Sequence, residues 1–268
     1  MPRREATARK ILKPSTGKSE LAVKGLDAPV EVRRHPAARR LTLRVSQTRR
    51  AVIVTVPVRC RIDEASLFVH RNIEWVIKRL GALPDLVPFA DGMMLPLRGI
   101  EHRVRFVTHG IGAVVRTERG TDGTPQIIVR GRTEHCARRL KDWLYLQAKA
   151  DLDRCVMFHT GRLGLRARRL ALRDQASRWG SCSTAGVLSF SWRLILAPPV
   201  VLDYVAAHEV AHLAEMNHGP RFWALVRKTM PDMEAAKQWL SAHGLDLHRY
   251  GAMPDDTGKG TDDIAAKS

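Results

Sequence analysis

Residues 203–223 read Asp203-Tyr-Val-Ala-Ala-His208-Glu209-Val-Ala-His212-Leu-Ala-Glu215-Met-Asn217-His218-Gly-Pro-Arg-Phe-Trp223, with H-E-x-x-H at the centre. On an α-helix, positions four apart share a face, so His208 and His212 can present two imidazole nitrogens to one ion. Zinc favours such ligands, and a catalytic zinc keeps three protein ligands and leaves the fourth position to water. Glu209 sits beside the metal rather than on it, where its carboxylate can take that water's proton. The motif is short, and two histidines on a solvated helix face would also satisfy it. Its surroundings favour a metal: Tyr204, Val205, Ala206, Ala207, Val210, Ala211 and Leu213 make the run apolar, and buried imidazoles need partners. Pro198 and Pro199 suit the start of this helix, and Asn217 with Gly219 and Pro220 suits its end.

Two residues compete to complete the shell. Glu215 follows His212 by three positions and falls near the same face while the helix continues. His218 lies ten positions after His208, where a straight helix would carry it well round from the ligands. Asn217 tolerates the left-handed conformation that ends helices and Gly219-Pro220 cannot readily extend one, so a reversal there can return His218 to the metal. The reading takes His218 as ligand and leaves Glu215 exposed or hydrogen-bonded nearby, supporting a ligand from outside the shell.

Upstream, apolar residues recur at helical spacing from Glu134 to about His159 through Cys136, Leu140, Leu144, Leu152 and Val156. A turn at Gly161–Gly164 and a strand at Arg169–Arg173 follow, then Ser177-Arg178-Trp179-Gly180-Ser181-Cys182-Ser183. A further strand places Leu188, Phe190 and Trp192 on one side and Ser189, Ser191 and Arg193 on the other. The segment Trp179–Trp192 is the candidate edge against which an extended substrate pairs its backbone, with Trp179, Gly180, Ser189 and Ser191 as substrate-binding candidates. Trp192 reads as a core aromatic. Downstream, helices are expected over Ala224–Met230 and from Met233 to about His243, packed over the metal helix.

Nearer the start, Leu41, Leu43 and Val45, then Val52, Val54 and Val56, alternate as two half-buried antiparallel strands. Ile62 to Leu80 reads as one amphipathic helix with Asp63 and Glu64 in its first turn. Prolines and glycines punctuate a connector, after which Val104 and Phe106 alternate and Gln126–Val129 forms another strand. The fold class is therefore α+β. Residues 1–27 read as a disordered basic tail, 28–133 as a β-rich part with one helix, 134–250 as the metal-bearing core and 251–268 as a second tail.

Lys and Arg number 45 against 27 Asp and Glu, for a net charge of +18. Such a charge attracts polyanions, but no pattern for specific base reading accompanies it, so non-specific nucleic-acid binding is the most it predicts. Four scattered cysteines without a C-x-x-C pair fit reduced thiols, and no apolar run long enough for a membrane span is present. A cytoplasmic protein is expected.

The run Arg178-Trp-Gly-Ser-Cys-Ser183, then Phe190-Ser-Trp-Arg-Leu194, Asp203-Tyr-Val205, His208-Glu-Val-Ala-His212, and Asn217-His218 followed by Phe222-Trp223, resembles the YgjP-like metallopeptidases. These are metal-dependent hydrolases related to the SprT-like and Wss-type proteases. The resemblance spans roughly Val30 to Leu245. It implies a zincin-like core, His208, His212 and His218 as zinc ligands, and Glu209 as catalytic base and acid. Ser191 stands where Asn is common and Val210 where Leu is common, neither at a ligand position. Three functions follow as expectations: a zinc peptidase acting on a protein or peptide, a nucleic-acid-associated protein with a structural zinc, or a protease acting on nucleic-acid-bound proteins. The intact Glu209 favours an enzyme, because a structural site gains nothing from a carboxylate beside its ligand.

Overall fold

The computed structural model describes residues 18–174 and 178–251. Ser177 and most of both expected tails lie outside the described residues. The chain divides into two compact units, Met1–Leu83 and Pro84–Ser268. The boundary thus falls at residues 83 and 84 rather than 133 and 134. Its physical reason is a shared core: Val104, Ile127 and Val129 belong to the same buried cluster as Leu140 and Leu144 of the helix that follows them.

In the first unit, β1 (Lys18–Leu21), β2 (Val30–Arg34), β3 (Thr42–Ser46) and β4 (Ala51–Val56) form a sheet of order β1-β2-β4-β3. Strand β1 falls inside the stretch read as tail. Backbone pairing, with Leu21 opposite Val30 and Lys18 opposite Arg33, supplies what its weak apolar pattern does not. β3 and β4 pair antiparallel with Leu43 opposite Val54. β4 is buried on both faces from Ala51 to Val54 rather than half-buried, and β2, lying parallel, takes its other edge, so it is a central strand. The single helix expected over Ile62–Leu80 is two, α1 (Ile62–Arg71) and α2 (Ile73–Gly81). Asn72 breaks it at φ −115°, ψ 16°, its side-chain Nδ2 donating to the Phe68 carbonyl at 2.8 Å.

The second unit opens with β5 (Met94–Leu97), β6 (Ile100–Val107), β7 (Val115–Arg119) and β8 (Pro125–Arg130), ordered β5-β6-β8-β7. Its outer pairs are antiparallel and its central pair parallel, as in the first sheet. Both units therefore contain one strand topology followed by helix. Helix α3 runs over Thr133–Leu163, past the predicted end near His159, until Gly164 terminates it in the left-handed region at φ 66°. Strands β9 (Arg169–Arg173), β10 (Gly180–Cys182) and β11 (Val187–Ser191) make a third sheet of order β10-β11-β9. A short 3-10 helix at Trp192–Leu196 leads into α4 (Pro199–Ala211), α5 (Pro220–Thr229) and α6 (Met233–Leu247).

The architecture is α+β, with α4 packed against α3, α5, α6 and β10. α4 has no polar stripe to give solvent: Val201, Ala206, Ala207 and Val210 are all buried. Trp192 is fully buried and stacks on the Tyr145 ring at 5.3 Å. Next to it the buried Arg193 donates from Nε to Asp174 at 3.1 Å, and from Nη1 to the carbonyls of Leu247 and Tyr250. That guanidinium ties the 3-10 helix to the end of α6. Burial would raise the Asp174 carboxyl, but Arg193 and Lys141 outweigh it and hold the group below its ordinary value. No helix among the described residues is long and apolar enough to cross a membrane.

Candidate metal centre

Pro199 is the first residue of α4, where its missing N–H costs no hydrogen bond. Thirteen residues later the helix stops, with His212 as its C-cap. The exit is tightened by 3-10 type bonds from Leu213 N–H to the Val210 carbonyl and from Ala214 N–H to the Ala211 carbonyl, at 3.0 and 3.1 Å. His212 Nδ1–H donates to the Glu215 carbonyl at 2.9 Å, which fixes the tautomer and turns Nε2 outward. The reversal therefore comes before Glu215 and not at Asn217. Among the described non-glycine residues only Arg50 and Arg98 have positive φ, so Asn217 does not adopt the left-handed conformation expected of it. Glu215 acts through its backbone carbonyl.

The early exit lets the chain double back. His218 Nε2 comes to 3.0 Å from His208 Nε2. The ligand atoms of His208, His212 and His218 lie within 4.8 Å of one another, the one such cluster of metal-binding side chains among the described residues. Phe222, fully buried on α5, packs on all three rings at centroid distances of 4.8, 4.5 and 4.7 Å. Burial pushes His208 down to about 4, and the neighbouring His212, His218 and Lys237 act in the same direction. His212 is lowered too, again mainly by burial. Neutral imidazoles at neutral pH keep a lone pair for a metal, so the donor set fits a divalent ion of borderline softness.

Glu209 sits in a dry seat against β10. It is 5% exposed, and its Oε2 has no hydrogen-bond partner. Burial raises its carboxyl to about 7, opposed only by the Arg178 charge. The seat exists because residue 180 is glycine: a Cβ there would stand 2.5 Å from Glu209 Oε1 and 2.6 Å from its Cγ. Strand alternation puts Arg178 and Cys182 on the same side of β10 as that missing Cβ, and both sense the Glu209 charge.

Gly180, read from sequence as substrate-binding, thus packs on Glu209. Trp179 lies on the opposite side of β10, its ring 4.8 Å from His248 and against Gly244 of α6. Ser189 and Ser191 are buried, and Ser191 caps the 3-10 helix by accepting from Arg193 N–H. The stretch Trp179–Trp192 is not one edge. β11 is central, flanked by β10 and β9, so within this stretch only β10 has a free edge, and the two serines on β11 are buried.

Sequence reasoning missed His159. It is fully buried on α3, and its Nε2 lies 3.0 Å from Asp203 Oδ1, bracing α3 against the start of α4. Burial raises Asp203, but His159 outweighs it and the carboxyl sits below its ordinary value. Position 159, three after Val156 and seven after Leu152, was the available signal: a histidine on the apolar face of a helix needs a partner. Phe222 gave none, since its packing on the ligands depends on the reversal.

A search of the curated proteins found no match. Among solved structures, the chain is similar to the metallopeptidase zymogen abylysin of Pyrococcus abyssi. That likeness is 21% identical, covers 38% of this chain and 99% of that one, and has a TM-score of 0.33. The model of the YgjP-like metallopeptidase domain matches residues 39–243, well over half of the chain and all of the centre described above. The chain belongs to the YgjP-like metallopeptidase family.

Proposed function

We propose that this metallopeptidase is a zinc-dependent endopeptidase in which Glu209 is the general base. The observation that carries the reading is the pairing of a three-imidazole cluster with a buried carboxylate that has no other employment. Leaving such a group unpartnered costs on the order of 1–3 kcal/mol, which a purely structural metal site would have no reason to bear. His208, His212 and His218 would hold the ion, which when bound supplies Lewis acidity toward a scissile carbonyl and toward water. Glu209 accepts a proton from the attacking water at its carboxylate and passes it to the leaving amide nitrogen. A carboxyl raised to about 7 by burial suits both directions of that transfer. Phe222 excludes solvent from behind the imidazoles, and the outer side of β10 supports an extended peptide by strand addition.

The test is Glu209→Gln, with metal content by mass spectrometry and cleavage of unfolded casein measured side by side. About one zinc per chain with hydrolysis reduced roughly 10²- to 10⁴-fold is expected. Unchanged cleavage would remove Glu209 from the reaction.

A second reading, recruitment of the peptidase to nucleic acid, is favoured by exposed Arg162, Arg169 and Arg173, which make no ion pair or side-chain hydrogen bond among the described residues. Binding would be insensitive to sequence and would weaken with salt by a slope of about −0.9 per phosphate contacted on duplex DNA. No binding at low ionic strength would end this reading.

A further inference from the structure

One cleft in the second unit shares a single residue with the metal centre. It has a volume of about 720 Å³, and His212 is part of its wall. Three segments bound it: the link from α3 to β9, the β10–β11 turn, and the turn after α4. The first contributes Arg166 and Arg168, the second Thr184, the third Leu213 and Met216. No carboxylate lines it.

Arg166 and Arg168 differ from the arginines that hold the fold. Arg98 is bonded to Asp151 and Gln147, and Arg193 to Asp174 and two carbonyls. Both cleft arginines are exposed and make no ion pair or side-chain hydrogen bond among the described residues. Only the Arg168 backbone is engaged, its N–H donating to the Gly186 carbonyl at 2.9 Å, which locks the α3–β9 link to the β10–β11 turn. The wall is therefore fixed while its two charges are left for a ligand. The C-terminal end of α4 faces the same space with a partial negative charge of about half a unit, which two full positive charges exceed.

We infer that this cleft is a specificity pocket that takes an acidic side chain of the substrate, Asp or Glu, next to the scissile bond, with Arg166 and Arg168 as its recognition residues. The inference rests on the peptidase reading for its orientation. β10 leads into the Ser183–Gly186 turn, and that turn and His212 line the same cleft, so a peptide laid along β10 would deliver to it a residue flanking the cleaved bond. The apolar floor made by Leu213 and Met216 suits the methylene stem of that side chain, and the guanidiniums suit its carboxylate. Of the exposed arginines on this segment only Arg166 and Arg168 line the cleft, where the walls admit one side chain; Arg162, Arg169 and Arg173 lie outside its lining, among the cations a nucleic-acid backbone would follow.

Fluorescent blocked peptide libraries, identical except for one position fixed as Glu, Gln or Lys, would be titrated onto the zinc-loaded full chain carrying Glu209→Gln. Preference for the Glu library over the Gln library of about fivefold or more is expected, the effect of two exposed charge pairs. It should disappear in Arg166→Gln/Arg168→Gln and turn toward Lys in Arg166→Glu/Arg168→Glu, with zinc content confirming that each variant is folded. Equal affinity for the three libraries, absence of measurable binding included, overturns the inference. So does a double variant that loses single-stranded DNA while keeping its peptide preference. Cleavage of the same libraries by the unsubstituted chain separates the two claims. Cleavage without acidic preference ends the pocket and leaves the peptidase; acidic preference without cleavage ends the peptidase and leaves the pocket.

Discussion

Replacing Gly180 by alanine tests the link between the third sheet and the proposed chemistry. Gly180 is paired with Phe190 in regular antiparallel register and is not among the glycines with positive φ, so the backbone itself accepts alanine. The obstacle is Glu209: the new Cβ would stand 2.5 Å from Oε1, 2.6 Å from Cγ and 2.8 Å from Cδ. Ordinary carbon–carbon contacts are about 3.5–4.0 Å, so the carboxylate or the strand must yield by roughly 1 Å. Because Cγ is involved as well as the terminal oxygen, a rotation of the carboxylate alone does not relieve the clash. A displacement of about 1 Å at a reacting group costs on the order of 10²-fold in rate, and overpacking costs about 1–3 kcal/mol of stability. The expected result is zinc content unchanged by mass spectrometry, kcat/KM for a peptide lowered about 100-fold, and a modest loss in urea denaturation. Gly244→Ala is the comparison, since the nearest atoms to its Cβ would be those of the Trp179 ring, at 3.2 Å and beyond, and not a ligand or the base. Cleavage by Gly180→Ala within threefold of the unsubstituted rate, zinc bound, would refute the argument that β10 seats the base.

Two further outcomes are expected. In competition with a chelator, His218→Ala should release zinc at least tenfold more readily, whereas Glu215→Ala should hold it like the unsubstituted chain, because Glu215 serves His212 through its carbonyl; the reverse order would exchange their roles. In metal-free protein, Glu209 moves from an unfolded value of 4.5 to about 7 when folded. Its contribution to stability is fully present below pH 4.5 and is lost as pH rises through 7. Chelated Glu209→Gln should therefore be more stable than the chelated unsubstituted chain at pH 8, by up to about 3 kcal/mol, with the gap closing toward pH 5. Parallel denaturation curves at pH 5 and pH 8 decide it, and a gap independent of pH would show that the carboxyl titrates normally.

Much of this was legible in the chain before any fold. Helical periodicity and the four-residue step from His208 to His212 are local properties of a 3.6-residue helix, and the apolar residues around them announced that the helix is buried. The alternation at Leu41–Val45, Val52–Val56 and Leu188–Phe190 likewise marked strands without any partner in view. Asn72 was harder to read, because the break it makes depends on one side-chain hydrogen bond to Phe68.

Three features were decided only by packing. Which strand is an edge depends on partners distant in sequence, so Ser189 and Ser191 looked exposable until β9 and β10 enclosed β11. Where α4 ends depends on the bond from His212 to the Glu215 carbonyl and on Phe222 beneath the rings, and that end sets whether residue 215 or 218 reaches His208. The environment of Glu209 depends on a missing Cβ twenty-nine positions earlier, at Gly180. The sequence by itself thus determined which residue types stand one helical turn apart, because backbone geometry carries that information over a few residues. The tertiary structure alone decided which of them meet across the fold and which are dry, because solvation and non-local contact arise only when separate segments pack.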